Sequence, residues 1–306
     1  MTKKPIQPHI DGLTINNYPV IDGSTSTFPL NTVIACELLG LNYEWQEKEE
    51  GYSRSWFVNP KAKGSLKRKL NNVVKSSQTH PSIVNLIDRE ANLVLSARKL
   101  SPDEREYAQS KGVSVIETPI SIDAFIFIIN PRNLVNSLTI EEIQGIYTGK
   151  ITEWKSLVAE MGQHQYSPRI QPYIRERNSG SQELMDVLVM KGLEYYANLP
   201  IYQERLVFTM AGLLDEIATD PYGIGYTIYY YNEQIIRPGD RLKTIAINGV
   251  QPTKESIANR SYPLTTEVYA IIRSDMDKTS MTYKIHEWLQ TTTGKQVITK
   301  SGYIPN

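Results

Sequence analysis

Three segments of this chain share one build: a short apolar run, a turn of small hydroxyl-bearing residues, then a helical pattern. They span residues 21–30, 93–101 and 172–182. The first is entered through Tyr18-Pro19-Val20-Ile21, turns at Asp22-Gly23-Ser24-Thr25-Ser26-Thr27, and continues in an apolar helical period from Phe28 to Leu39. The second leaves Ala91-Asn92-Leu93-Val94-Leu95, turns at Ser96-Ala97-Arg98, and restarts at Ser101-Pro102-Asp103-Glu104, a helix start with a cap, a proline at its first position and a capping-box glutamate. The third leaves a strand over residues 169–174 and turns through Arg175-Glu176-Arg177-Asn178-Ser179-Gly180-Ser181-Gln182. Strands alternating with helices predict α/β layers. In open α/β sheets, ligands bind beyond the carboxyl ends of strands, so the repeated unit constrains both the fold and the place to look for a site.

The third turn carries the most chemistry. Ser179 with Gln182 fits the Ser-x-x-Gln capping box, and Asn178 is an alternative cap. The first N–H groups of a helix have no intrahelical partner, and they sit at the positive end of its dipole. Gly180 permits close approach of backbone to ligand, and Ser179 and Ser181 add hydroxyl donors. With guanidinium groups beside them, these features make an oxyanion cradle. Taken alone, the segment reads equally as a capped helix with solvated arginines. Three such turns together, with Arg98, Arg175 and Arg177, suit a tetrahedral oxyanion.

The chain has 306 residues, room for two domains, with 33 basic and 33 acidic side chains. Zero net charge argues against a nucleic-acid or membrane-surface partner, which needs a basic field. It leaves room for a small anion held in a cleft. Nineteen tyrosines against five phenylalanines predict half-buried aromatic surfaces with polar tips. The single cysteine, Cys36, excludes an intrachain disulfide and lies on an apolar helix pattern, where it reads as a small hydrophobe. His9, His80, His164 and His286 are widely separated, and no metal-ligand spacing is present, so neither a metal nor a cofactor is expected. No apolar run spans a membrane. The opening Met1-Thr2-Lys3-Lys4-Pro5 does not read as a signal peptide, which leaves a cytosolic protein or one whose leader is absent from the chain.

Residues 44–70 read as polar and irregular, with the charge runs Glu47–Glu50 and Lys67–Lys69 solvated. A helix is expected over 82–88 and strands over 113–116 and 120–130, the latter around the apolar run Ala124–Ile129. Thr139 with Glu142 caps a helix to about Tyr147, and strands follow at 223–228 and 264–272. The tail from about Ser280 to Ile298 reads as one amphipathic helix that Gly294 can interrupt.

On these markers the chain resembles the substrate-binding proteins of phosphate ABC transporters, in the periplasmic-binding-protein type II superfamily. The resemblance covers about residues 18–306. It rests on Gly23-Ser24-Thr25-Ser26-Thr27-Phe28-Pro29, on Leu95-Ser96-Ala97-Arg98-Lys99-Leu100-Ser101, and on the Asp123-Ala124-Phe125 strand. Further markers are Leu138-Thr139 through Gly149-Lys150-Ile151-Thr152-Glu153-Trp154, and Arg175 to Ser181. The resemblance implies two α/β domains joined by two crossover strands near 119–123 and 262–266, with the ligand cleft between them. Domain I would be residues 1–119 plus 264–306 and domain II residues 120–263.

It also implies residue roles. Thr27 and Phe28 would bind the anion through the hydroxyl and backbone amides, or an alternative alignment puts the hydroxyl role on Ser24, Thr25 and Ser26. Arg175, Ser179, Gly180 and Ser181 would contact anion oxygens from the Arg turn, while Arg177 either adds a second guanidinium or faces solvent. Ser96, Ala97 and Arg98 form the second turn, and Thr79 is the candidate in a further contact segment. Well-studied phosphate binders carry in that second turn an Asp that accepts the anion's own proton; here the residue is Ala97, which leaves phosphate or another oxyanion as the ligand. The implied function is extracytoplasmic binding of the anion, periplasmic or lipid-anchored, for delivery to the membrane subunits of an ABC importer. An oxyanion sensor without transport and a phosphatase-like enzyme using the same cradle are the alternatives. A nucleophile paired with a base, which the enzyme would need, is not visible.

Overall fold

The structure, a computed structural model, describes residues 10–50, 53–158, 169–197 and 210–306. His9, His164 and the first five residues discussed above lie outside them. In chain order the elements are β1 (Ile21–Gly23), α1 (Phe28–Leu38), β2 (Tyr43–Glu50), β3 (Ser53–Pro60), α2 (Gly64–Val73), α3 (Thr79–Ile87), β4 (Leu93–Ser96), α4 (Pro102–Ser110) and β5 (Val115–Ile129). There follow β6 (Ser137–Leu138), α5 (Ile140–Tyr147), β7 (Gln171–Pro172), α6 (Gly180–Leu184), α7 (Met210–Thr219) and β8 (Gly223–Ile228). The chain closes with β9 (Lys243–Thr244), β10 (Ala246–Ile247), α8 (Lys254–Ala258), β11 (Thr265–Arg273), α9 (Met281–Trp288), α10 (Thr292–Ser301) and β12 (Ile304–Pro305). It divides into two compact units, Met1–Asp123 with Thr266–Asn306 and Ala124–Thr265. The chain therefore passes between units twice, within β5 and at the start of β11. No helix among the described residues is long and apolar enough to cross a membrane.

In the first unit β1 pairs in parallel with β4, Gly23 opposite Leu95, and β11 runs antiparallel to β4, Tyr269 opposite Ser96. The parallel pairing brings the carboxyl ends of β1 and β4 to the same edge, so the turns that follow them start side by side. One face of this sheet is covered by α3 and α4 through Ile83, Leu86, Val94, Leu100 and Ile271, all buried. α1 packs against β1 and α10. Its Cys36 is buried, and burial together with the neighbouring Glu37 pushes the thiol up to about 12. In the second unit β8 runs antiparallel to β5, Phe125 opposite Ile228, and β7 joins β8 in parallel. The rings of Phe125, Phe127, Tyr147 and Tyr226 pack together beneath it, the Phe125–Tyr226 centroids 5.2 Å apart.

Residues 44–70 correct the sequence reading. The stretch expected to be irregular holds the β2–β3 hairpin, paired from Tyr43 opposite Pro60 to Glu50 opposite Ser53, and then α2. Most of this ribbon stays in contact with solvent on both faces, so the alternation that marks a half-buried strand is absent. The strands expected at 113–116 and 120–130 are one fifteen-residue strand, β5. The tail is two helices, α9 and α10, with the Thr291 hydroxyl capping α10 by accepting from Gly294 N at 3.2 Å. Gly294 serves close packing there: a Cβ on it would lie 2.2 Å from the Trp288 carbonyl oxygen.

The capping box expected at Ser101/Glu104 forms, and the helix start expected at Thr139 is closed by a box with Glu142. Glu104 does more than cap. Its fully buried carboxylate also takes both terminal nitrogens of Arg98, at 2.7 and 2.8 Å, and His80 Nδ1 at 2.9 Å. Burial alone would push this carboxyl up. The hydrogen bonds and charge of Arg98, with the Ser101 N–H and His80, outweigh it and hold Glu104 below its ordinary 4.5. A depressed carboxyl stabilises the fold above the unfolded-state pKa and loses that contribution as pH falls through the folded-state value. Glu104→Gln should cost about 3–5 kcal/mol, because it strands a buried guanidinium. Urea titrations from pH 7 to 3 should show wild-type stability falling below about 4.5 with part of that slope missing from the variant. Equal slopes would remove Glu104 from the acid transition.

Candidate functional site

The first unit gathers three turns at one edge. Gly23 N and Ser77 N donate to Asp22 Oδ1 at 2.8 and 2.9 Å, and Asn85 Nδ2 donates to Asp22 Oδ2 at 2.9 Å. Asp22 is fully buried. This one carboxylate ties the turn after β1 to residues 76–79 and to α3. Ser76 Oγ also reaches the Ser24 carbonyl at 3.5 Å, and Thr79 is buried at the first position of α3. Thr79, the weaker candidate, is thus brought to the same turn as Ser24 and Ser26. Sequence reasoning missed Asp22, although Asp22-Gly23 at the end of an apolar run marks a turn whose carboxylate can bond its own backbone.

Gly23 is required by close approach. A Cβ there would lie 2.5 Å from the Leu95 carbonyl oxygen and 2.7 Å from Thr27 Oγ1. The hydroxyl inventory then separates the alternatives left open above. Thr27 Oγ1 is fully buried and donates to Leu95 O at 2.8 Å, with Ser24 O at 3.0 Å as its other acceptor. Its one proton is held by the backbone, which corrects the expectation that the Thr27 hydroxyl binds an anion. Ser24 Oγ lies 3.1 Å from Thr27 Oγ1 and 3.2 Å from Ser26 Oγ. The alternative with the hydroxyl role on Ser24, Thr25 and Ser26 is the one this bonding leaves open, Thr25 being half-buried between the two serines. Phe28 opens α1 with its ring partly exposed, so its backbone end is the part that belongs to the turn.

In the second turn Ser96 Oγ donates to Arg98 O at 2.6 Å and accepts from Arg98 N at 3.2 Å, closing the turn on itself. Ala97 is buried between them. The guanidinium of Arg98, expected to serve an anion, is instead committed to Glu104 and to the Lys99 carbonyl at 2.7 Å. That is a second correction. The bidentate pair neutralises the charge locally and makes Arg98 a brace between β4 and α4. The capping box was legible; its partner six residues earlier was not.

The second unit presents the Arg turn. Asn178 adopts φ 67° ahead of Ser179, whose Oγ accepts from Gln182 N at 3.2 Å and caps α6. The reciprocal half of the expected capping box is absent, because the Gln182 side chain turns to Arg175, Asp186 and Tyr195 instead. Ser181 Oγ is buried with no hydrogen-bond partner among the described residues. Arg175 is half-buried and Arg177 exposed. Burial pushes the hydroxyls of Tyr226 and Tyr231 well up, and the positive charge of Arg175 nearby pulls both back. The arrangement therefore offers a guanidinium, a buried hydroxyl and helix-start N–H groups, the donor set for an oxyanion. Among the described residues no group of three or more His, Cys, Asp or Glu could hold a metal.

Gly23→Ala should lower the urea midpoint by about 1–3 kcal/mol of stability, since the obstructing atom is backbone and the β1–β4 pairing must shift to admit a methyl group. An unchanged midpoint would show that the turn has room the geometry denies.

The PBP superfamily domain matches residues 61–291. Over 242 residues the chain is 24% identical to the phosphate-binding protein PstS of Borreliella burgdorferi, covering 77% of this chain and 81% of that protein. Two solved structures share the fold. One, from Clostridium perfringens, is assigned to the phosphate ABC transporter substrate-binding proteins and contains bound phosphate; it has a TM-score of 0.63, 21% identity, and covers 94% of this chain and 98% of its own. The other is an ABC-type phosphate transport receptor from Vibrio cholerae, with a TM-score of 0.60, 20% identity, and coverage of 93% and 98%. With the domain match spanning most of its length, this chain belongs to the PBP superfamily.

Proposed function

We propose that the protein binds inorganic phosphate outside the cytoplasm, periplasmic or lipid-anchored, and delivers it to the membrane subunits of an ABC importer. The observation that carries this reading is the Arg turn. A half-buried Arg175 stands beside the start of a capped helix, where the buried Ser181 hydroxyl has no protein partner in the described residues. An unsatisfied buried hydroxyl costs about 1–3 kcal/mol, a cost that an anion oxygen accepting from it removes. Arg175, Ser179, Gly180 and Ser181 are the anion donors of the Arg turn. Ser24, Thr25, Ser26, the Phe28 amide and Thr79 are the candidate donors of the first unit's turns. The relatives named above, a phosphate-binding protein and a phosphate transport receptor, support phosphate as the anion.

This is a binding protein and not an enzyme. The turn hydroxyls of the first unit bond one another and backbone oxygens, an arrangement that positions donors and activates no nucleophile.

A ligand that binds only the native state stabilises it by about 2.7 kcal/mol at a hundredfold excess over Kd. Thermal unfolding with phosphate, sulfate and molybdate should show a clear upward shift with phosphate, abolished in Arg175→Ala. No shift with any oxyanion would end the reading. Selectivity is a separate expectation. Ala97→Asp places an acceptor carboxylate in the second turn that can take the proton of hydrogen phosphate, which sulfate lacks. Calorimetric titration should show the phosphate-over-sulfate ratio rising about tenfold, the scale of one charged hydrogen bond. An unchanged ratio would place selectivity elsewhere.

A further inference from the structure

Resting on that reading of the Arg turn, we infer that Asp186 is a positioning residue for the anion, acting through the amide of Gln182 on the peptide of Arg175. The chain of bonds is closed. Gln182 is buried at the third position of α6, and its Nε2 donates to Asp186 Oδ1 at 2.9 Å and to Tyr195 Oη at 2.8 Å. Tyr195 in turn donates to Asp186 Oδ1. On the other side Gln182 Oε1 accepts from Arg175 N at 2.9 Å and from the Tyr226 hydroxyl. Tyr226 Oη also accepts from Arg175 N, at 3.0 Å.

The proton count allows only one orientation. An ionised carboxylate accepts and cannot donate. The end of Gln182 facing Asp186 must therefore be its NH2 group, and the end facing Arg175 must be its carbonyl oxygen. The Tyr226 proton goes to that oxygen, leaving the phenol oxygen to accept from Arg175 N, and the Tyr195 proton goes to Asp186. The Arg175 N–H is shared between Gln182 Oε1 and the Tyr226 oxygen, Gln182 Oε1 and Asp186 Oδ1 each accept twice, and no two donors face each other, the condition under which a buried polar network rigidifies its surroundings.

What it rigidifies is the Arg turn. Arg175 leaves the strand end, whereas Gln182 lies one residue past Ser181 on the helix whose start bears Ser179 and Gly180. Holding the Arg175 peptide against the Gln182 side chain fixes the two ends of the loop relative to each other before any anion arrives, and preorganisation of this kind lowers the cost of binding. The helix accommodates the arrangement: beyond Leu184 it widens to a five-residue repeat over Met185–Met190, closed by the Lys191 N–H donating to the Asp186 carbonyl at 2.8 Å.

Asp186→Leu tests this, because it keeps the volume of the side chain and removes the acceptor. The Gln182 NH2 group then keeps only Tyr195, which has itself lost its acceptor, so the amide is no longer held against the Arg175 N–H. The expected result is a phosphate Kd raised about tenfold by calorimetric titration, with the unliganded melting temperature close to wild type. In protein labelled with 15N-arginine, the Arg175 amide resonance, assigned by its loss in Arg175→Lys, should move upfield as its acceptor is lost. An unchanged Kd would overturn the inference, and so would a raised Kd with an unmoved Arg175 resonance, since the effect would then not pass through that peptide. Absence of phosphate binding by the wild type would end the functional reading and the positioning role for phosphate with it, while the resonance would still decide whether Asp186 orients Gln182.

Discussion

A single buried carboxylate organises the first unit's turns. Asp22 sits at the middle position of β1, in a strand only three residues long. Too short to hold its register by ladder bonds alone, that strand is fixed by what its aspartate collects: its own next N–H, the N–H of Ser77 and the amide of Asn85. Three donors from three different parts of the chain converge on this one buried side chain. The same contacts carry residues 76–79 and the start of α3 to the place where β1 and β4 end together. Remove the carboxylate and neither the turn after Gly23 nor Thr79 has a reason to be where it is.

The legible part of this protein was its punctuation. The capping box at Ser101, the helix cap at Thr139 and the strand through Ala124 to Ile129 each follow a local rule, and each formed. What did not show was long-range pairing. The β2–β3 ribbon lacks the hydrophobic alternation that burial on one face imprints, so its charges read as loop. Glu104 fitted its local role so well that nothing hinted at a second one, and the pairing with Arg98 requires knowing that β4 delivers residue 98 to the cap of α4. In the Arg turn, Gln182 fitted a reciprocal capping box. The structure gives it a better use: Asp186 stands four residues on, while Arg175, Tyr226 and Tyr195 are brought around it by β7, β8 and the chain beyond the helix.

Arg98 and Arg175 show why residue type and neighbouring motif do not by themselves assign a ligand. Both follow a strand, both precede a capped helix, and both were read as anion donors. The difference lies in what each helix start brings. α4 brings Glu104, an anion already covalently part of the chain, whose two oxygens take the guanidinium fork in the geometry a bound oxyanion would use. α6 brings Gln182 at the corresponding position of its first turn, a neutral group that engages the Arg175 peptide. The capping position thus divides the two arginines: the carboxylate at that position of α4 takes the guanidinium of Arg98, and the amide at that position of α6 takes the backbone N–H of Arg175.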